Sequence, residues 1–260
     1  MASMHHFLRI NKPLTRLWDV LLPRRCYGCG ELVAECGLCA NCWTQLDTIT
    51  WPCARCGRSF EMASLKGQTC LSCQKKAPPW RRARAVFFYR GIGRQLILQY
   101  KHGRRLDASA YYARLIAQAA QESLKECDII VPVPLHWTRR IARGYNQAAE
   151  LARALAKRTG LPTLNHALIR TRRTKPQFVS ITHDKKYNTQ QAYALRQRNV
   201  KDAFAITKKY QNTLKGKSVL LIDDLITSGA TAEACTLALQ HIGVRHVDIA
   251  ALARVGKHLT

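Results

Sequence analysis

Acidic side chains are scarce in this chain: 16 Asp and Glu stand against 42 Lys and Arg in 260 residues, a formal charge of +26. That imbalance excludes a charge-neutral surface and implies a polyanionic partner, nucleic acid or anionic lipid, though it carries no sequence specificity. Long apolar runs are also missing. The stretch "LWDVLLP" (17–23) is too short and interrupted for the core of a secretory signal. No segment approaches a membrane span, so stable membrane insertion is not expected and a reducing cytosol is the expected compartment. Internal repeats are lacking apart from paired cysteines, and so are low-complexity tracts. With 47% apolar residues, the composition excludes wholesale disorder, and the length suits one α/β domain plus a smaller module.

The basic excess is unevenly placed. Residues 1–73 carry 8 basic and 5 acidic side chains, whereas 139–217 carry 19 and 3. The N-terminal part is instead marked by cysteine. Eight of the 11 cysteines form four C-x-x-C pairs, Cys26/Cys29, Cys39/Cys42, Cys53/Cys56 and Cys70/Cys73. In a reducing compartment such pairs bind metal rather than form disulfides. The spacings C-x2-C-x9-C-x2-C and C-x2-C-x13-C-x2-C supply two sets of four thiolates, each able to close one tetrahedral, structural Zn²⁺ site. Sequential and interleaved pairings use the same eight residues. Cys36 is an extra cysteine in "CGLCANC", while Cys127 and Cys235 read as inert core thiols.

Leu14, Leu17, Val20 and Leu21 give 13–22 the spacing of a short amphipathic helix. Residues 26–80 form a turn-rich, metal-stapled module ending in the seam "KKAPPWRR" (75–82), with 1–25 as a leader before it. From 81 to 260 the pattern alternates between strand and helix. Strands are expected at 84–90, 127–134, 218–223 and 246–255, and helices at 92–103, 107–126, 146–160 and 231–243. The stretch 163–210 is polar and poorly periodic. That order predicts an α/β fold, a parallel sheet with helices on both faces.

The chemistry concentrates at "VLLIDDLITSGAT" (219–231). Ligands of open parallel sheets bind beyond the carboxyl ends of strands. There the backbone N–H groups of Thr227, Ser228, Gly229, Ala230 and Thr231 can wrap a phosphate, with a helix N-terminus behind them. Asp223 and Asp224 would repel that phosphate but suit the hydroxyls of an attached sugar, through which Mg²⁺ could be held nearby. "GKS" (216–218) is not a P-loop, because it lacks the first glycine and precedes its strand. A second basic loop, "VPVPLHWTRRIARGYNQ" (131–147), brings Arg139, Arg140 and Arg143 to another strand end as a pyrophosphate or second-phosphate site.

The thirteen residues 219–231 resemble the phosphoribosyl-pyrophosphate (PRPP) signature of type I phosphoribosyltransferases at every position. With the cysteine pairs, "PPW", "LQYKHG", "VPVPLHWTRRIARGYNQ", "RTRRTKPQ" and "RQRNVKDAF", the chain from about Cys26 onward resembles the ComF family of competence-related proteins. The resemblance implies a double zinc ribbon followed by a type I phosphoribosyltransferase-like domain, with Lys101, Arg143 and Asn146 lining the site. It also implies a flexible hood at 170–204, whose part from Gln177 to Asn199 is longer than the family pattern.

Three functions follow as expectations. The resemblance implies handling of incoming single-stranded DNA in natural transformation, alongside DNA-import or recombination proteins. Arg170, Arg172, Arg173, Lys175, Arg196 and Arg198 would then track the backbone. Among aromatic candidates for base stacking (Trp43, Trp51, Trp80, Trp137, Tyr145 and Tyr187), Trp137 and Tyr145 lie inside the basic loop. The second function is an active Mg²⁺-dependent phosphoribosyltransferase, with Asp223 and Asp224 at the catalytic centre; no segment announces its acceptor. The third is a PRPP-sensing regulator without turnover.

Overall fold

A computed structural model of the chain describes residues 23–102, 105–135, 144–171 and 203–256. The helix expected at 13–22 and the glycine expected to close a helix at 103 lie outside them. The chain divides into two compact units, Met1–Thr44 and Gln45–Thr260.

In the first unit, Cys26 N–H donates to Glu31 O at 2.7 Å and Gly30 N–H to Cys26 O at 3.0 Å, which closes a tight knuckle around the first cysteine pair. The second pair enters the short helix Ala40–Thr44.

The larger unit is built on a four-stranded parallel sheet. Its strands are β1 (Arg82–Phe88), β2 (Ile129–Pro132), β5 (Ser218–Ile226) and β6 (His246–Arg254), in the order β1-β6-β5-β2. Near-continuous apolar runs form these strands because both sheet faces are covered. Val219, Leu221, Val247, Ile249 and Ala251 join one buried cluster with Ala232, Cys235 and Leu239 of the helix Ala230–His241. The alternating Leu220, Ile222, Ala250 and Leu252 are equally buried and turn to the other face. Helices α1 (Gly91–His102), α2 (Ser109–Ala119), α3 (Gln121–Glu126) and α4 (Gln147–Thr159) precede α5 (Ala230–His241) in chain order. Of these, α2 packs on β1 and β6, and α4 on β2 and β5. This is the parallel sheet with flanking helices that the alternating pattern predicts.

Several boundaries differ from expectation. The helix expected over 107–126 is two, because Ala120 leaves helical geometry at φ −108° and ψ 24°. No breaker marks the spot in the sequence. Within 163–210, β3 (Leu168–Arg170) and β4 (Phe204–Ile206) form an antiparallel pair. Three-residue strands carry too little periodicity to be read from sequence. The hood between them, 172–202, lies outside the described residues. β1 starts two residues earlier than expected, and β5 runs three residues past Asp223.

The second cysteine set belongs to the same unit as the sheet. Residues 47–55 take hydrogen-bonding groups of β1 that β6 leaves unused. Phe88 N–H donates to Asp47 O at 2.8 Å, Ile49 N–H to Val86 O at 2.9 Å, and Ala83 N–H to Arg55 O at 2.8 Å. An otherwise open sheet edge is thereby closed. Other knuckle carbonyls are met by side chains. Arg254, the buried last residue of β6, donates to Cys56 O at 2.8 Å, and Arg84 to Ala54 O at 3.2 Å. Gly57 completes the knuckle at φ +71°, where an added Cβ would stand 2.3 Å from Ala83 O. Gly57→Ala is therefore expected to destabilise the sheet unit by about 2–4 kcal/mol, read by urea denaturation, because both the left-handed backbone and the close carbonyl oppose it.

Candidate functional site

The metal centres come first, because their geometry is closed. Sγ atoms of Cys26, Cys29, Cys39 and Cys42 lie within 4.8 Å of one another, as do those of Cys53, Cys56, Cys70 and Cys73. Of the two pairings that the spacing leaves open, the chain adopts the sequential one, and Cys36 stands exposed outside both sets. Backbone donors already point at sulfur: Gly28 and Cys39 N–H at Cys26 Sγ (3.3 and 3.2 Å), and Cys70 N–H at Cys53 Sγ (3.3 Å). The thiols of each set constrain one another's charge. Cys53 is held down to about 4, foremost by the hydrogen bond from Cys56, while that bond and burial push Cys56 up. Four sulfurs this close ionise together only around a cation, so the residues fit a thiolate-bound Zn²⁺ with no open coordination position. Its role there is structural.

The second candidate lies at the carboxyl end of β5. Asp223 and Asp224 sit inside the strand rather than past its end, with Asp223 opposite Ala251 and the ladder continuing to Ile226 opposite Arg254. The turn is only Thr227, Ser228 and Gly229, and α5 begins at Ala230. Thr227 is exposed and Ser228 and Thr231 half-buried, with Ala230 N–H reaching Ser228 Oγ at 3.4 Å. Among the described residues, none accepts a hydrogen bond from the backbone N–H of Thr227, Ser228 or Gly229. These donors stand directly ahead of the N-terminus of a twelve-residue helix. Gly229, at φ +88°, lies against the buried indole of Trp80, and a Cβ there would stand 3.1 Å from Trp80 Cη2.

Lys101 joins this site from the last turn of α1, its Nζ 3.0 Å from Asp224 Oδ2, with both side chains mostly buried. Asp223 is half-buried, and its Oδ1 accepts Asp224 N–H at 2.8 Å. Burial, and then the neighbouring Asp224 charge, push Asp223 up to about 8. One protonated acid plus one ion pair leaves this corner near neutral at pH 7. An anion placed at this turn would therefore meet less repulsion than two bare carboxylates would impose. Beneath the strand, burial holds the Cys235 thiol well above its ordinary value, with Asp223 adding to the effect; Cys127 is likewise pushed up to about 11 by burial.

The loop after β2 reaches the same corner. Tyr145 Oη donates to Tyr100 O at 2.6 Å and Gln147 Nε2 to Lys101 O at 3.2 Å, so two side chains cap the last carbonyls of α1. No local sequence signal marks Gln147 for this task. Asn146 is occupied by the chain itself: its Nδ2 donates to Val133 O and its Oδ1 accepts Ala148 N–H, both at 3.1 Å, as the N-cap of α4. Arg139, Arg140, Arg143 and Trp137 lie outside the described residues, as do Arg172, Arg173, Lys175, Arg196, Arg198 and Tyr187. Arg170 is described, half-buried, with its guanidinium 5.2 Å from the Phe204 ring. Trp80 is in the core, unavailable for stacking on a base, whereas Trp43 is 44% exposed.

Comparison with known proteins completes the picture. A double zinc ribbon domain model matches residues 17–74. Competence protein F of Haemophilus influenzae is 30% identical over 237 residues, which cover 88% of this chain and 96% of that protein. The chain belongs to the ComF family. Other ComF-family relatives are the DNA utilization protein YhgH of Escherichia coli K12, 29% identical over 90% of this chain and 98% of its own length, and competence protein ComFC of Bacillus subtilis, 27% identical over 75% and 74%. Two solved structures are similar at a TM-score of 0.37. One is an allosteric regulatory enzyme of purine biosynthesis (21% identity, 60% of this chain). The other is a glutamine PRPP amidotransferase from B. subtilis (23%, 59%), and 30% of each of those chains is covered. Among the described residues of this ComF-family chain, no helix is long and apolar enough to cross a membrane.

The raised Asp223 pKa has a sign that can be checked. Between about pH 4, where an unfolded aspartate titrates, and about pH 8 the folded chain holds the extra proton, so stability falls as pH rises through that window. Asp223→Asn is expected to raise thermal stability at pH 8, by on the order of a few kcal/mol, and to leave it near wild type at pH 4. Equal effects at both pH values would show that Asp223 is not held protonated.

Proposed function

We propose that the protein handles incoming single-stranded DNA in the cytosol during natural transformation and carries a phosphoribosyl-binding site beside the DNA path. The observation that carries the second half is the turn after β5, read as an anion cradle. N–H groups at Thr227–Gly229 that no described residue accepts would face an anion at a helix N-terminus, while Asp223 and Asp224 stand earlier in β5, where the diol of a pentose 5-phosphate would lie. The first half rests on the names of the relatives, which are competence and DNA utilization proteins, and on the +26 charge.

Six of the 16 acids are already held in ion pairs by arginines. Glu122, Glu126 and Asp248 are taken by Arg81, Arg82 and Arg84, Asp47 by Arg90, Asp107 by Arg105, and Glu150 by Arg153. The excess from 139 to 217 is left for phosphates, through Arg139, Arg140, Arg143, Arg170, Arg172, Arg173, Lys175, Arg196 and Arg198, with Trp137 and Tyr145 as stacking faces. Tyr145 is half-buried and gives its hydroxyl to Tyr100 O.

Mg²⁺ fits this site only indirectly. Lys101 already occupies one oxygen of Asp224, so the acids offer no anionic cage, and the ion would ride on oxygens of a pyrophosphate and sugar. When bound it would offset pyrophosphate charge. The chain's own part is to bind the 5′-phosphate at Thr227–Thr231 and orient the sugar at Asp223 and Asp224, with Arg139, Arg140 and Arg143 for a leaving pyrophosphate. A phosphoribosyltransferase activity uses the same machinery and adds an acceptor pocket; a PRPP-sensing regulator uses it without turnover.

The test is single-stranded DNA binding over a salt titration, with and without PRPP and Mg²⁺, in wild type and Asp223→Ala/Asp224→Ala. Wild type is expected to lose roughly ten- to hundredfold in affinity between 50 and 200 mM salt. PRPP is expected to shift binding only when both acids are present. Absence of DNA binding near physiological salt would sink the DNA half and leave the transferase reading in front.

A further inference from the structure

We infer that the second metal centre, at Cys53, Cys56, Cys70 and Cys73, is a positioning device for the Thr227–Gly229 turn, and that Trp80 transmits its state. This rests on the phosphoribosyl-binding reading of that turn. Two struts run from one knuckle to the two ends of the turn. The first is Arg254. It donates to Cys56 O at 2.8 Å and stands opposite Ile226, the residue immediately before Thr227, in the β5–β6 ladder. The second is Trp80. Its Nε1–H donates to Arg55 O, between Cys53 and Cys56, at 3.2 Å, and its ring lies under Gly229 so closely that one added carbon would stand 3.1 Å away.

The segment carrying Trp80 is itself held from two sides. Arg55 Nη2 donates to Pro78 O at 3.3 Å, and Gln240 Nε2, in the last turn of α5, donates to Pro79 O at 2.9 Å. The indole therefore cannot shift without disturbing both the knuckle and the helix that starts at the cradle. A surface staple would need neither a buried arginine nor a buried tryptophan on its carbonyls. Both are nearly inaccessible here, at 5% exposure each. Without metal the Cys53–Cys56 knuckle loses what fixes its carbonyls, and Arg254 and Trp80 lose their acceptors' positions. The turn then loses the geometry in which Thr227–Gly229 donors converge. Linkage makes the effect reciprocal, so an anionic ligand in the cradle must hold the second metal more tightly.

The experiment follows zinc transfer from the full chain to a chromogenic chelator, with and without saturating ribose 5-phosphate. The phases are assigned with Cys29→Ser, which removes the first centre. Ribose 5-phosphate is expected to slow release from the Cys53/Cys56/Cys70/Cys73 centre at least threefold and to leave the other unchanged, and Trp80→Phe, which keeps a ring but removes the N–H donor, is expected to abolish most of the slowing. In ¹⁹F NMR of protein labelled with 5-fluorotryptophan, the resonance missing from Trp80→Phe should move on addition of ribose 5-phosphate and again on loss of the second zinc, a response that inert core packing would not produce. Ribose 5-phosphate that binds by calorimetry yet leaves both release rates and the Trp80 resonance unchanged would overturn this inference alone. Coupling that survives in Trp80→Phe would remove Trp80 as its carrier. Failure of ribose 5-phosphate and PRPP to bind at all would instead overturn the phosphoribosyl reading on which it stands.

Discussion

The carbonyl groups of one cysteine knuckle are the joint on which the larger unit turns. Residues 53–57 form a tight loop whose outward carbonyls are met by Ala83 N–H, Arg84, Trp80 and Arg254. Each of those partners is committed elsewhere: two to the edge strand β1, one to the last position of β6, and one to the floor beneath Gly229. A metal-stapled loop has little apolar core of its own. Here its cysteines and Phe60 form a small buried cluster of their own, tied to the sheet by hydrogen bonds, and the sheet's exposed edge is closed in return. The arrangement explains why the second cysteine set falls in the compact unit that begins at Gln45, while the first falls in the unit before it.

Charge organises the carboxyl end of β5. Two adjacent carboxylates in a strand are costly when partly buried, and the cost is relieved in two ways. Lys101 offsets Asp224, and Asp223 keeps its proton into the neutral range. The corner is then close to neutral, beside N–H donors at Thr227–Gly229 that no described residue accepts. Capping of α1 by Tyr145 and Gln147 ties the position of Lys101 to the start of α4, so the loop after β2 and the acid pair share one frame.

Much of this was legible in the sequence because it depends on local chemistry. The C-x-x-C spacings define metal ligands, since four thiolates in a short, turn-rich segment have few other uses. The apolar runs at 127–134, 218–223 and 246–255 announce buried parallel strands. Helix α4, expected over 146–160, was bounded within a residue at each end, with Gly160 closing it in the left-handed region. What failed was local signal too short to register, as in the three-residue strands β3 and β4, or local signal overridden by packing, as at Ala120, where nothing in the sequence breaks the helix.

The sequence by itself determined which residue types are available: eight thiolates, two acids, a glycine-containing turn and a large cationic excess. It could not determine which partners they meet. Lys101 and Asp224 are 123 positions apart in the chain, and Trp80 and Gly229 are 149 apart (224 − 101 and 229 − 80). Only closure of the sheet brings either pair into contact. The choice of sequential over interleaved cysteine pairing, the continuation of β5 through both acids, and the use of Asn146 as a cap were likewise tertiary decisions. The physical reason is common to all of them. Ligand chemistry is a property of side chains and can be read in one dimension, whereas hydrogen-bond partnership and burial are settled by which surfaces the folded chain presses together.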